Sequence, residues 1–219
     1  MKTKVKICCI KSVEEAALAL RYGASALGFV TAMPSGPGPI SEDQIASIIP
    51  RVPPGVDAFL LTSKLDSPSI IAQQHRTQAT TLQLVDAVST SVYADLRLHV
   101  PGVRIVQVIH VTGEKAVSEA LSVAPYVDAI LLDSGNPDLP VKQLGGTGRV
   151  HNWSISHTIC RAVSVPVYLA GGLRPDNVAD AIRAVHPFAV DVCSGVRTDG
   201  ALDERKLSLF FSAVTEAAL

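Results

Sequence analysis

Two residues far apart in the chain have side chains suited to moving protons. Cys8 closes the apolar run Val5-Lys6-Ile7, and Asp133 closes the run Ala129-Ile130-Leu131-Leu132. A thiolate can take a proton from carbon, and a carboxylic acid can give one to oxygen. Two further runs end in small residues: Val167-Tyr168-Leu169-Ala170-Gly171-Gly172-Leu173 and Ala189-Val190-Asp191-Val192-Cys193-Ser194-Gly195-Val196. Small residues at a strand end let backbone N–H groups approach an anion closely, which suits a phosphate. Asp191, two residues before Cys193, is placed to bond a sugar hydroxyl. The implied ligand is a phosphorylated small molecule. Cys8 is expected to ionise readily, because helix N-termini around an anion site also favour a thiolate.

Each of these residues also has a purely structural use. A cysteine in a strand packs, and an aspartate after a strand caps a turn. Cys9 should alternate to the opposite face and join the core, and Cys193 reads as small filler. Gln83, Asp86 and His110, near the ends of their strands, are further pocket candidates. The other histidines (75, 99, 151, 157 and 186) show no metal-ligand spacing, so no metal is expected.

The elements that must position these groups alternate. Short apolar runs at 4–9, 26–30, 56–62, 81–86, 104–110, 128–133, 166–170 and 189–193 are separated by segments of helical periodicity. The runs are apolar on both faces, as parallel strands covered by helices should be. Ser12 with Glu15 and Ser41 with Gln44 are helix-start patterns. Eight such units in 219 residues, with no linker or low-complexity tract, predict a single-domain (β/α)8 barrel over 1–219; an open doubly wound sheet would use fewer strands. In a barrel both Cys8 and Asp133 would reach the mouth at the carboxyl ends of the strands. Two long loops at that end, 31–39 and 134–150, are candidate lids.

The composition excludes several functions. A net charge of −1 with scattered Lys and Arg argues against nucleic acid as a partner, and no apolar run is long enough for a membrane span. The four cysteines, Cys8, Cys9, Cys160 and Cys193, form no CxxC pair, so a disulfide framework is not expected. The start of the chain lacks a signal-peptide pattern, and a cytoplasmic location follows as the expectation.

The motifs taken in order resemble the phosphoribosylanthranilate isomerase family. Lys6-Ile7-Cys8-Cys9-Ile10 is similar to K-I-C-G-I, with Cys9 in place of glycine. Gly23-Ala24-Ser25-Ala26-Leu27-Gly28-Phe29-Val30 is similar to G-A-D-A-L-G-F-V. Leu131-Leu132-Asp133-Ser134, Gly145-Gly146-Thr147-Gly148 and Trp153 resemble L-L-D-S…G-G-T-G…W. Leu169-Ala170-Gly171-Gly172-Leu173 with Pro175, Asn177 and Val178 resembles L-A-G-G-L-x-P-x-N-V. Asp191-Val192-Cys193-Ser194-Gly195-Val196 resembles D-V-S-S-G-V. The resemblance covers nearly the whole chain.

It implies an Amadori rearrangement of an aminoaldose phosphate to an aminoketose, without cofactor or metal. Asp133 would be the general acid that opens the furanose ring, and Cys8 the general base at C2. Phosphate would be held by Gly146, Gly148, Gly171, Gly172, Ser194 and Gly195, with Asp191 on the sugar. A homodimer is compatible with this family. Two stretches depart from the pattern on the aglycone side. Gly38 stands where the family has an arginine facing the ring carboxylate, and Val85-Asp86 replaces histidine-glycine. Lys11, Arg149 or Arg174 would have to supply the missing cation. Alternatively, the same chemistry serves another phosphorylated sugar or amino sugar, or the barrel binds a phosphorylated metabolite with little turnover.

Overall fold

A computed structural model describes residues 3–146 and 148–217. Eight parallel strands close into a barrel in sequence order: β1 (Lys4–Ile7), β2 (Ala26–Val30), β3 (Asp57–Thr62), β4 (Thr81–Leu84), β5 (Arg104–His110), β6 (Ala129–Asp133), β7 (Val167–Leu169) and β8 (Ala189–Val192), with β8 pairing back to β1. The covering helices are α1 (Val13–Arg21), α2 (Glu42–Ile48), α3 (Ser67–Thr77), α4 (Thr90–His99), α5 (Lys115–Val123), α6 (Trp153–Ala162), α7 (Val178–Val185) and α8 (Glu204–Glu216). The expected (β/α)8 barrel is the observed fold.

Local chemistry sets the helix starts. Ser12 Oγ accepts from the Glu15 amide at 3.2 Å, and Ser41 Oγ accepts from the Gln44 amide at 3.2 Å. Each bond satisfies an N–H that the first helical turn leaves without a partner. Asp66 and Asp203 do the same for α3 and α8, at 2.9 and 3.0 Å.

Strand residues divide between two cores, which is why the runs are apolar on both faces. Val5, Ile7, Leu27, Phe29, Leu60, Leu82, Ile130, Leu132, Leu169 and Val190 pack outward against the helices. Ala26, Phe59, Leu61, Val106, Val108, Leu131, Tyr168 and Ala189 fill the barrel interior. Alternation along β1 therefore sends Lys6 and Cys8 inward, and along β8 it sends Asp191 inward.

The first strand ends sooner than its apolar run suggests. β1 stops at Ile7, and Cys9 has φ of 63°, in the left-handed region that non-glycine residues adopt at a cost. That turn carries Cys9 out of the alternation and to the barrel mouth. It is buried there, but not on the outward face expected for it.

Candidate active site

One cavity opens at the carboxyl ends of the strands, and both Cys8 and Asp133 line it. Asp191, Gly146, Gly148, Gly171, Gly172 and Ser194 line it as well. Gly195 does not. A Cβ there would run into the Leu173 carbonyl oxygen, so its lack of a side chain serves the packing of the β8 turn against the β7 turn. Gly195 thus sits behind the lining, at the packing contact between the two turns. Thr147 lies outside the described residues.

Glycines shape the cavity in two ways. Gly146, Gly148, Gly171 and Gly172 have φ between 62° and 83°, a region open to glycine without strain. Gly28 and Gly145 make room for the reactive groups. A Cβ on Gly28 would lie 2.8 Å from Cys8 Sγ and 3.1 Å from Lys6 Nζ, and one on Gly145 would lie 2.6 Å from Asp133 Oδ2. Both are closer than real Cβ atoms come to such neighbours.

A fully buried ion pair underlies the site. Lys6 Nζ donates to Asp191 Oδ1 at 2.9 Å, and Lys6 is 0% exposed. The β1–β8 register sets Lys6 opposite Asp191. Burial disfavours the ammonium, but the Asp191 carboxylate and the Cys8 thiol outweigh it and hold the lysine above its ordinary range. The sequence motifs single out Cys8 beside it but give this lysine no role. Its alternation with Val5 and Ile7 was the available signal that it points inward.

Burial dominates the ionisation of both Cys8 and Asp133. It pushes the Cys8 thiol up to about 11, with Lys6 pulling down and Asp191 pushing up. The expectation of a thiol made acidic by the anion site is therefore overturned: removal from water outweighs nearby positive charge. Burial also raises Asp133, against the Ser134 amide, which donates to Asp133 Oδ1 at 2.7 Å, and against His110. A carboxyl whose ionisation is disfavoured is better suited to donate a proton.

The remaining candidates separate. Gln83 lines the cavity with its side-chain oxygen buried and unpartnered. His110 does not line it; its Nε2 lies 2.9 Å from the Val85 carbonyl oxygen and braces β5 against β4. Asp86 is turned to the rim, where it forms an ion pair with Lys142 and accepts from the Ala87 amide. None of the three expected cations lines the cavity. Lys11 reaches the Gly200 carbonyl at 3.4 Å, Arg174 pairs with Asp176 at 3.1 Å, and Arg149 bonds Gln143. Lys142 was not anticipated, since its place in a 17-residue loop says nothing of where it folds.

Cys193 is not filler. It is joined to Cys9 in a disulfide with Cα atoms 5.8 Å apart. Barrel closure sets Ile7 opposite Val192 and so brings together residues separated by 184 positions. That adjacency is invisible to spacing rules, which is why no disulfide was expected. Among the described residues no group of three His, Cys, Asp or Glu side chains could hold a metal ion, and no helix is long and apolar enough to cross a membrane.

Comparison with known proteins agrees with this geometry. The family described as N-(5'phosphoribosyl)anthranilate (PRA) isomerase matches residues 5–213. An N-(5'-phosphoribosyl)anthranilate isomerase 2 from Methanosarcina mazei is 36% identical over 209 residues, covering 94% of this chain and 92% of that protein. The crystal structure of phosphoribosyl anthranilate isomerase from Thermotoga maritima superposes with a TM-score of 0.83 at 28% identity, covering 98% of this chain and 99% of that one. A phosphoribosyl anthranilate isomerase in complex with reduced 1-(o-carboxyphenylamino)-1-deoxyribulose 5-phosphate superposes with a TM-score of 0.80 at 26% identity, with the same coverage. With its barrel, its motifs and its sequence in agreement over nearly its full length, the chain belongs to the N-(5'-phosphoribosyl)anthranilate isomerase family.

Proposed function

We infer that this chain converts N-(5'-phosphoribosyl)anthranilate to the aminoketose 1-(o-carboxyphenylamino)-1-deoxyribulose 5-phosphate, with Asp133 as general acid and Cys8 as general base. The observation that carries this reading is that a buried carboxyl raised above its ordinary range and a buried thiol line one cavity, whose β7 and β8 side is glycine and serine backbone.

Asp133 gives its proton to the furanose ring oxygen as the C1–O bond opens and the anilino nitrogen takes up the charge. Cys8 removes the C2 proton to form the enolamine, which tautomerises to the ketone. Lys6, 2.9 Å from Asp191 and close to Cys8, stabilises the thiolate this step requires. The phosphate sits against Gly146, Gly148, Gly171, Gly172 and Ser194, supported from behind by Gly195, and Asp191 bonds the sugar. The anthranilate ring lies between Val30, Met33, Leu61, Val85 and Leu144, which form the apolar side of the cavity. Gln83 and Ser35 also line the cavity, and they are the amide and hydroxyl proposed to meet the ring carboxylate.

A relative from Thermotoga maritima is described as dimeric, and a homodimer is the assembly proposed here. A cytoplasmic setting accords with the biosynthetic reaction. Turnover of N-(5'-phosphoribosyl)anthranilate by the purified protein tests the activity, together with rescue of a tryptophan auxotroph that lacks this isomerase. Asp133→Asn and Cys8→Ser should each reduce turnover by about 10²–10⁴. An inactive wild-type protein that accepts a different phosphorylated amino sugar would transfer the same acid–base reading to another substrate. Two variants of undiminished rate would end it.

A further inference from the structure

Three departures from the family motifs meet at one point in space. Cys9 replaces glycine, Cys193 replaces serine, and Gly38 replaces arginine. Cys9 and Cys193 are bonded to each other. A Cβ on residue 38 would lie 2.7 Å from Cys9 Cβ and 3.0 Å from Cys9 Sγ, and Gly38 has φ of 94°. The cysteine pair therefore fills the space from which any side chain at position 38 would have to start. The three positions therefore form one contiguous patch at the rim of the cavity.

The pair also has a mechanical position. Cys9 directly follows Cys8. Cys193 directly precedes the single 3₁₀ turn Ser194–Val196, whose first residue lines the phosphate side of the cavity. Cys9 keeps a left-handed backbone that only glycine adopts freely, so its conformation must be held by something outside itself. A covalent tie to Cys193 supplies that hold. Cys9 Sγ also lies 3.7 Å from the Pro37 carbonyl oxygen. A disulfide sulfur has no proton to donate, whereas a thiol does, so the same site offers a second arrangement in which Cys9 bonds the β2 loop. Cys193 is only half-buried and Cys9 is 4% exposed, which makes Cys193 the sulfur a reagent reaches first.

We propose that Cys9 and Cys193 are a reversible thiol–disulfide site that sets how firmly the Ser194–Val196 phosphate turn is held against the strand bearing Cys8. The oxidant is a low-molecular-weight disulfide. The Cys193 thiolate attacks one of its sulfurs, forms a mixed disulfide and releases one thiol. The Cys9 thiolate then attacks the Cys193 sulfur, forms the Cys9–Cys193 bond and releases the second thiol. The two cysteine protons end on the two released thiols; two cysteine sulfurs are oxidised and the reagent's two sulfurs reduced. The tied form has a preorganised phosphate turn and the reduced form a looser one.

The role of the turn rests on the phosphate assignment above, whereas formation of the pair does not. The full-length protein is equilibrated with oxidised glutathione or with dithiothreitol, then denatured, alkylated and mapped. Two alkylated cysteines, Cys8 and Cys160, are expected after oxidation and four after reduction. The oxidised protein should bind inorganic phosphate about threefold or more tightly than the reduced one and unfold at a higher temperature. In Cys193→Ser the two treatments should give identical affinities and melting temperatures, whatever their absolute values; Cys9→Ser is the second variant with the same expectation. Four alkylated cysteines after both treatments, or a linked peptide containing Cys8 or Cys160, would overturn the proposal. So would a Cys9–Cys193 link that changes neither phosphate affinity nor melting temperature. A correct link in a protein that turns over no phosphoribosylanthranilate would instead count against the substrate reading alone.

Discussion

Lys6 and Asp191, on the first and last strands of the barrel, hold each other at 2.9 Å with their side chains 0% and 8% exposed. Desolvating two ions costs several kcal/mol each, and only close pairing offsets it. Lys6→Met should therefore destabilise the protein by about 3–5 kcal/mol, because the carboxylate is left buried and unpaired beside Cys8 and Asp133. Adding Asp191→Leu to Lys6→Met removes the stranded charge and should recover much of the loss. Urea unfolding of both singles and the double checks this. Strictly additive effects would mean the two groups stand independently.

The pH dependence of kcat/KM follows from burial at Cys8 and Asp133. On the proposed assignment of Cys8 as base and Asp133 as acid, the productive enzyme carries a thiolate and a carboxylic acid together. Below the lower of the two apparent pKa values both groups are protonated and no base exists; above the higher one both are ionised and no acid exists. Burial puts Cys8 at about 11 and raises Asp133 above the carboxylate range. The profile should be a bell whose acid limb lies above the ordinary value of about 3.9, with an alkaline fall centred near about 11. These limbs belong to the coupled pair and not to either group alone. Initial rates across the pH range test this. An acid limb in the ordinary carboxylate range, or an alkaline fall near 8.5 as for a free thiol, would contradict it.

The barrel was readable because its strands satisfy two cores at once. Ala26–Val30 and Arg104–His110 fall on the expected boundaries, since a run apolar on both faces has few alternatives to a covered parallel strand. Cys8 and Asp133 were readable because each follows or closes such a run, and Asp191 because it is the one polar residue inside the last of them. The rest of the site depends on closure of the sheet. Lys6 is an ordinary basic residue until β8 brings Asp191 opposite it. Cys9 and Cys193 are unrelated until the same pairing joins their ends, and Asp86 has no visible partner until the loop after β6 delivers Lys142 to it. The direction of the Cys8 shift was misjudged for a related reason. The depth of burial is a property of the assembled barrel, and here it outweighs the positive charges that a sequence can suggest.

Arg197, the residue after the Ser194–Val196 turn, supports the same end of the β1–β8 strand pair as Cys9 and Cys193. Its guanidinium donates to Glu15 at 2.7 and 3.0 Å, to the Cys9 carbonyl at 2.6 Å, to the Cys8 carbonyl at 3.3 Å and to the Gly200 carbonyl at 3.0 Å. Burial works to raise the Glu15 carboxyl, but Arg197, helped by the Lys11 and Leu202 amides, reverses it, so Glu15 ends below its ordinary range. A depressed carboxylate contributes stability that is fully present above its unfolded pKa, about 4.3, and is lost as pH falls through its folded value. Arg197→Met should cost about 3–5 kcal/mol at pH 7, where the half-buried carboxylate loses its partner. At pH 3 the wild-type protein has begun to lose the pair as well, so the gap between the two proteins should narrow. Arg197→Lys keeps the charge without the fork that reaches Glu15 and both carbonyls, and should fall between them. Urea midpoints at the two pH values decide the matter. A difference that does not change with pH would place the contribution of Arg197 in its backbone contacts and remove Glu15 from the account.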